Sequence, residues 1–224
     1  MKILIINPNS DPGMTATIEQ AARGYAGDDF SVACLPTPGA PVFIDSYGDE
    51  MLAAPGMAEL VRSHENQVDG FVVACMDDPN LDAIKEMTAR PVVGIAEAAM
   101  KVASMIGHRF SIIGTSRAGV ANHELLARKY HLQDALASVR YPPDSAATLE
   151  DEEQFLLAAQ RAVDEDLAEV IVLGCAGLAD MARRLAIRLG VPVLDGVVCG
   201  VMLAAGMVRA GITTSKAGRY KPRE

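Results

Sequence analysis

The chain has 224 residues, half of them hydrophobic, a formal net charge of −9 and no tryptophan. This length fits one large α/β domain or two small ones, and the apolar half can form an aliphatic core without disulfides or metals. The charge argues against a general nucleic-acid or anionic-membrane binder, since both need a dense basic surface, and it does not repel the small neutral substrate that we expect as a partner. No apolar stretch reaches the roughly 18 residues that span a bilayer. With no signal-like segment either, we expect a cytoplasmic protein with reduced cysteines.

Short apolar runs alternate with longer helical patterns along the chain, which is typical of βαβ units and a parallel sheet. Several runs are apolar at nearly every position, as strands buried on both faces must be. In chain order, the predicted strands cover residues 3–6, 31–35, 70–74, 92–95, 110–114, 137–139, 170–174 and 193–194.

The sequence around these strands repeats. Residues 70–75 (GFVVAC) parallel residues 170–175 (VIVLGC), and residues 90–95 (RPVVGI) parallel residues 191–196 (VPVLDG). An ancient duplication is the simplest explanation of such a repeat. We therefore predict an α/β protein of two similar halves, 1–97 and 98–205, joined by a helix near residues 96–106.

Four polar or nucleophilic residues follow predicted strands directly: Asn9, Cys75, Thr115 and Cys175. In open α/β sheets, ligands bind outside the carboxyl ends of the strands. Two halves that dock face to face would place all four residues on one cleft.

Two of the four cysteines are predicted to carry chemistry. Cys34 lies inside a predicted strand and Cys199 inside an apolar helical pattern, where cysteine is a small packing residue. Cys75 and Cys175 instead end their strands, at the edge where the cleft is predicted. The four cysteines form no CxxC pair and have no histidine at ligand spacing, so no metal site is expected.

The residues after Cys75 affect its pKa in opposite directions. Asp78 and Pro79 predict a helix N-cap and first turn directly after the strand, and backbone N–H groups at such a turn lower a thiol pKa. The carboxylates of Asp77 and Asp78 raise it. The sequence leaves open which effect is larger.

Two thiols on opposite faces of a planar intermediate suit the inversion of a carbon acid. One thiolate takes a proton from the carbon, and the other thiol delivers a proton to the opposite face. An unperturbed thiol pKa of about 8.5 makes both charge states accessible. The enolate oxygen needs hydrogen-bond donors, which Asn9, Thr115, Ser116 and the backbone after each cysteine can supply.

Six short motifs occur in order along nearly the whole chain: Asn7-Pro8-Asn9-Ser10, Ile44-Asp45-Ser46, Cys75-x-x-Asp78-Pro79, Pro91-Val92-Val93-Gly94, Gly174-Cys175-Ala176-Gly177 and Thr214-Ser215-Lys216. With these motifs, the chain resembles the hydantoin racemases, within the aspartate/glutamate racemase superfamily. The resemblance implies two flavodoxin-like parallel-sheet domains related by a pseudo-twofold axis, with the active site in the cleft between them. It also implies that the C-terminal segment, residues 206–224, returns to the first half. The resemblance suggests a homo-oligomer, and no stretch of the sequence identifies an interface.

The same resemblance implies a two-base racemase that needs neither pyridoxal phosphate nor metal, and hence no cofactor. It places Cys75 and Cys175 at the two acid/base positions, the first associated with the D-isomer and the second with the L-isomer. The implied reaction is racemisation of a 5-substituted hydantoin, or of an allantoin-like ring, through an enolate. The implied substrate-binding residues are Asn9, Ile44, Met76, Thr115, Ser116, Ala176 and Gly177.

Three departures from the family pattern lie around the predicted pocket. Met76 and Asp77 follow the first cysteine, where the family usually has an aromatic residue and glycine. Asn80 stands where glycine is usual after Asp-Pro. Residues 114–119 (GTSRAG) replace a segment that commonly has two threonines, then leucine and an acidic-basic pair. The mechanism is therefore better supported than the substrate.

Several alternatives remain open. The same superfamily contains racemases of acidic amino acids, malonate decarboxylases and maleate isomerases. The decarboxylases keep only the second cysteine, so the presence of Cys75 counts against them. If Arg117 lies at the protein surface, it does not bear on the choice of substrate. If its side chain points into the cleft, it favours a carboxylate substrate. After hydantoin racemisation and the other reactions of the superfamily, the third hypothesis is a non-catalytic small-molecule binding protein with the same fold.

No other group of residues predicts a site. The four histidines show no HxxxH or HExxH spacing, so we interpret them as surface or packing residues: His64, His108, His123 and His131. Residues 174–177 (GCAG) lack the features of a dinucleotide-binding motif. Residues 150–153 (EDEE) are predicted to begin a helix, where negative charge favours the helix dipole.

Overall fold

The computed structural model describes residues 1–144 and 147–221 of the chain. All eight predicted strands are present within these ranges, each bound lying within one residue of its prediction. They are β1 (Lys2–Asn7), β2 (Ser31–Pro36), β3 (Gly70–Val73), β4 (Val92–Gly94), β5 (Phe110–Ile113), β6 (Leu136–Arg140), β7 (Val170–Leu173) and β8 (Val193–Leu194).

The strands form two parallel sheets with equivalent orders, β2-β1-β3-β4 and β6-β5-β7-β8. The registers also correspond, since Ile6 pairs with Val73 in the first sheet and Ile113 with Leu173 in the second. This arrangement confirms the predicted α/β fold of two flavodoxin-like halves. The strand order reverses between β1 and β3 and between β5 and β7, and such switch points are where open α/β sheets bind ligands.

Helices cover the faces of both sheets. Their bounds are α1 (Pro12–Ala26), α2 (Tyr47–His64), α3 (Leu81–Met87), α4 (Ile95–Ile106), α5 (Val120–Lys129), α6 (Glu152–Asp166), α7 (Ala182–Leu189) and α8 (Gly196–Ala210). Asp11 caps α1 by accepting a hydrogen bond from Gly13 N at 2.8 Å. The acidic run opens α6 as predicted, with Glu152 paired to Arg184 at 2.6 Å. None of the described helices has the length and hydropathy needed to cross a membrane.

Each sheet buries both faces, and the inner faces share one core. In β1, Ile3 and Ile5 belong to the cluster shared by both halves, whereas Leu4 and Ile6 belong to a cluster of the first half alone. This alternation follows from the two-residue period of a strand. Full burial of such a side chain stabilises the fold by about 1.5–3 kcal/mol. The shared core therefore holds the halves together and fixes the cleft between them.

Helix α8 lies against the first sheet from its start at Gly196, and the return of residues 206–224 to the first half stays a prediction. A Cβ on Gly196 would lie 3.0 Å from Met76 Sδ, and one on Gly200 would lie 3.1 Å from Val72 Cγ1, so α8 packs directly against β3 and the loop after it. Near the end of the described chain, Tyr220 Oη donates to Asp82 Oδ1 at 2.6 Å, beside α3. The division of the halves at residues 97 and 98 stays a prediction.

Candidate active site

Both candidate acid/base cysteines line one cavity between the halves. Eight of the nine predicted site residues lie in its wall, and Gly177 does not. The full lining consists of Pro8, Asn9, Met14, Phe43, Ile44, Asp45, Ala74, Cys75, Met76, Asp77, Thr115, Ser116, Gly119, His123, Gly174, Cys175 and Ala176.

Corresponding backbone positions precede the two cysteines. Ala74 N donates to Ile6 O at 2.9 Å in the first sheet, and Gly174 N donates to Ile113 O at 2.8 Å in the second. The two positions differ in the room for a side chain. Position 74 holds alanine, whereas a Cβ on Gly174 would lie 2.8 Å from Gly114 Cα. The repeat therefore places both thiols at equivalent strand ends. The residue before the cysteine must be glycine only in the second half, at position 174.

Burial raises the pKa of both thiols. For Cys175 the pKa rises to about 11, chiefly because the sulfur is removed from water; the backbone N–H of Gly177 lowers it and the Asp77 carboxylate raises it. The pKa of Cys75 rises well above its ordinary value, again chiefly through burial, with Asp77 adding to the effect. The proximity of Cys175 also raises the pKa of Cys75. Desolvation thus outweighs the backbone donors, and Gly177 acts on the site through its N–H rather than from the cavity wall.

The loop after Cys75 is not the helix start that the sequence predicted. Asp78 and Asn80 have positive φ angles of 45° and 58°, and α3 begins only at Leu81. Asp78 and Pro79 are therefore not the N-cap and first turn of α3. This left-handed backbone turns the Asp78 carboxylate away from α3.

Asp78 instead binds the start of α4 and the end of α5. Its carboxylate accepts hydrogen bonds from Ala96 N at 3.2 Å and Glu97 N at 2.8 Å, which caps α4. Tyr130 Oη, in the second half, donates to Asp78 Oδ2 at 2.5 Å. Burial raises the pKa of Asp78 to about 7, while these hydrogen bonds lower it. The contact with Tyr130 ties the two halves together beside Cys75.

Asn9 presents a donor to the cavity. Its Oδ1 accepts hydrogen bonds from Asn7 Nδ2 at 2.7 Å and Asp11 N at 3.0 Å, which sets the orientation of the amide. Among the described residues, the only partner of its Nδ2 is then the thioether of Met14, at 3.1 Å. Because a thioether is a weak acceptor, Nδ2–H is available to an oxygen on a bound molecule.

Thr115 and Ser116 follow β5 and add two hydroxyls to the same wall. Arg117 is exposed, lies outside the cavity wall and precedes α5. Among the described residues, the wall contains the carboxylates of Asp45 and Asp77 and no lysine or arginine. The cavity is therefore acidic on one side and offers neutral donors on another.

His123, interpreted from the sequence as a surface or packing residue, lies in the cavity wall. It is only 3% exposed, and within the described chain neither ring nitrogen has a hydrogen-bond partner. Nε2 lies 4.0 Å from Asp77 Oδ1, and burial lowers the pKa of the imidazole. The sequence did hold a signal, because His123, Leu126 and Ala127 have the spacing of a buried helix face.

The other two cysteines are packing residues, as predicted. Cys34 and Cys199 are buried in the shared core, and burial raises the pKa of each to about 12. In the ranges that the structure describes, no group of three or more histidine, cysteine or acidic side chains is arranged to hold a metal ion.

Proteins of known family resemble the chain over nearly its whole length. A model of the Asp/Glu/hydantoin racemase family matches residues 3–204. A hydantoin racemase of Pseudomonas sp. (strain NS671) is 41% identical over 227 residues, covering 99% of this chain and 91% of that protein. An allantoin racemase from Klebsiella pneumoniae superposes with a TM-score of 0.94 at 37% identity, covering 100% of this chain and 94% of that one. An allantoin racemase from Pseudomonas fluorescens gives a TM-score of 0.92 at 30% identity, covering 100% and 99%.

Proposed function

The chain belongs to the Asp/Glu/hydantoin racemase family, and on that premise we propose that it racemises 5-substituted hydantoins, the allantoin type included, by proton transfer between Cys75 and Cys175 without a cofactor. One observation carries the proposal: two thiols at equivalent strand ends line a single cavity. The similar proteins named above are hydantoin and allantoin racemases, and allantoin is itself a hydantoin with a ureido group at C5.

The reaction begins with one cysteine as thiolate and the other as thiol. The thiolate takes the C5 proton, and the electron pair of the C–H bond moves into the adjacent carbonyl to give an enolate. The second thiol then delivers its proton to the opposite face of C5, which yields the other enantiomer. The two cysteines finish with exchanged protonation states, and proton exchange with water restores the first. We assign Cys75 to the D-isomer and Cys175 to the L-isomer.

The enolate oxygen is stabilised by neutral donors in the cavity wall. Asn9 Nδ2 is held in place by the hydrogen bonds to its Oδ1, and the hydroxyls of Thr115 and Ser116 line the same cavity. Donors fixed before the charge develops stabilise the transition state more than mobile water does.

The raised thiol pKa values suit a weak carbon acid. A thiolate derived from a thiol of higher pKa is a stronger base, so it removes the C5 proton more readily. The opposing effect is a smaller thiolate fraction at neutral pH. We therefore expect the rate to increase with pH.

The charge of the cavity favours a neutral ring over a carboxylate. Asp45 and Asp77 line the cavity and Arg117 does not. An acidic amino acid or a malonate would bring further negative charge toward these carboxylates without a cation to bind it, which disfavours binding. A hydantoin ring is neutral and planar and needs only hydrogen-bond donors and acceptors.

Proton NMR in D2O tests the proposal on single enantiomers of allantoin and 5-methylhydantoin, with L-aspartate and L-glutamate beside them. We expect the C5 proton signal of the hydantoins to disappear while optical rotation decays, from either enantiomer and after dialysis against a chelator. Exchange of the amino acids alone would overturn the proposed substrate. No exchange of any compound would overturn the racemase activity.

A further inference from the structure

Two polar residues in the cavity wall neither give nor take a proton in the proposed reaction. Asp77 lies in the loop after Cys75, and His123 lies on α5 across the cleft, with Oδ1 and Nε2 4.0 Å apart. We call Asp77 and His123 the polar corner. Building on the function proposed above, we propose that the polar corner binds a C5 substituent bearing N–H donors, a ureido group above all. It thereby selects allantoin-type substrates over hydantoins with apolar substituents.

His123 has hydrogen-bonding capacity that the described protein leaves unused. The ring is 3% exposed, and neither nitrogen has a partner. A neutral imidazole carries one donor and one acceptor, and buried polar groups are nearly always paired in folded proteins. A Cβ on Gly114 would lie 3.5 Å from His123 Nδ1, so the Nδ1 side of the ring packs near backbone. Nε2 remains on the side of Asp77, where a ligand in the cavity can complete its pairing.

Asp77 supplies acceptors at the same place. Asn122 Nδ2 donates to Asp77 Oδ1 at 2.7 Å, which holds the carboxylate in position. Asp77 Oδ2 lies 4.0 Å from Cys75 Sγ. Each carboxylate oxygen has two lone pairs, so both retain capacity for a ligand. The short distance to Cys75 puts the polar corner within reach of a group attached to the reacting carbon.

A ureido group matches both members of the polar corner. Its N–H groups donate to the carboxylate of Asp77, and its carbonyl oxygen accepts from an imidazole N–H of His123. An apolar substituent would desolvate both residues without pairing either, which is the situation that gives a polar site its strongest discrimination. A cationic substituent would match Asp77 and leave the neutral ring of His123 without a partner.

The test compares kcat/KM for allantoin and 5-isobutylhydantoin, whose substituents have the same number and branching of non-hydrogen atoms. The measured quantity is the allantoin-to-isobutyl ratio of each variant relative to wild type, because this removes the different acidities of the two C5 protons. We expect Asp77→Asn and His123→Gln to lower the ratio by at least about tenfold. The control is Glu124→Gln, an exposed neighbour on α5 that pairs with Arg128, and it should leave both rates unchanged.

An unchanged ratio in both variants would overturn the inference, even if both rates fell equally, because Asp77 would then act through Cys75 alone. A wild-type enzyme that racemises neither compound would contradict the proposed function instead. Calorimetric titration with the two compounds then decides the inference by itself. Allantoin binding at least about tenfold tighter than 5-isobutylhydantoin, with the preference lost in Asp77→Asn, supports the polar corner; equal binding overturns it.

Discussion

The loops after Cys75 and Cys175 leave equivalent strand ends and then diverge. The first loop carries two carboxylates, Asp77 and Asp78, on a partly left-handed backbone. The second enters the short 3-10 helix Ala176–Met181, whose buried residues are apolar. The repeated topology thus places the two thiols alike, while the loops give them different electrostatic surroundings.

In the proposed reaction, this difference separates the placement of the two thiols from the choice of substrate. A proton donor and a proton acceptor on opposite faces require only that both sheets end in a thiol. In our proposal, substrate choice depends on the residues beside Cys75, namely Asp77 and, from the other half, His123. The two requirements can therefore change independently, which mutations can test.

Among changes that keep both thiols, exchanging the residues before the cysteines should have the largest effect. Gly174→Ala would place a Cβ 2.8 Å from Gly114 Cα, so the end of β7 must shift and carry Cys175 with it. We expect kcat to fall by about 100-fold, the usual result of an ångström-scale misplacement. Ala74→Gly, at the equivalent position, should cost about 0.5–1 kcal/mol in the free energy of unfolding. Racemase assays and urea titrations check both; equal tolerance at the two positions would refute the asymmetry.

The pH dependence should be large and should shift when the charge beside Cys75 is removed. In the proposed reaction the base is a thiolate, formed by loss of a proton, so the raised pKa values of both thiols should move the rising limb of kcat/KM to higher pH. We expect the rate to increase still between about pH 7 and about pH 9. Asp77→Asn removes a charge that raises both pKa values, so the limb should move down by about one unit. A wild-type plateau already reached at neutral pH would contradict this expectation.

Tyr130→Phe should weaken the contact between the halves more at high pH than at low pH. Burial holds the pKa of Asp78 at about 7, above its unfolded value, so stability is lost as the carboxylate ionises with rising pH, and the Tyr130 hydrogen bond reduces that loss. Without the donor, the free energy of unfolding should fall by about 1.5–3 kcal/mol when Asp78 is ionised, and by less when it is protonated. Urea titrations on either side of pH 7 measure this. Tyr25→Phe, at an exposed tyrosine, is the control, and an equal effect at both pH values would contradict the assignment.

Arg117→Ala should have the smallest effect. The side chain is exposed and lies outside the cavity wall, so kcat/KM should change by no more than roughly twofold, as for most surface substitutions. Steady-state kinetics with a hydantoin measures this. A large increase in KM would place Arg117 at the substrate and reopen the possibility of a carboxylate substrate.

The sheets and the two thiols could be predicted from the sequence because buried parallel strands leave a continuous apolar signature, and Cys75 and Cys175 end two such strands. The hydrogen-bond partners of Asp78 could not be predicted from the sequence. Ala96 and Tyr130 lie far along the chain, and a positive φ angle at Asp78 decides where its carboxylate points. The proximity of Asp77 to His123 depends in the same way on how the halves dock.

Hydrogen–deuterium exchange by Cys75→Ser and Cys175→Ser tests the two-thiol reaction most directly. Each enantiomer of a hydantoin is incubated in D2O, and the C5 proton and the optical rotation are followed together. We expect each variant to lose net racemisation by about 1,000-fold, since an alcohol is a far weaker base than a thiolate. Exchange without inversion should persist for the L-isomer in Cys75→Ser and for the D-isomer in Cys175→Ser. Full racemisation by either variant would contradict the two-thiol reaction.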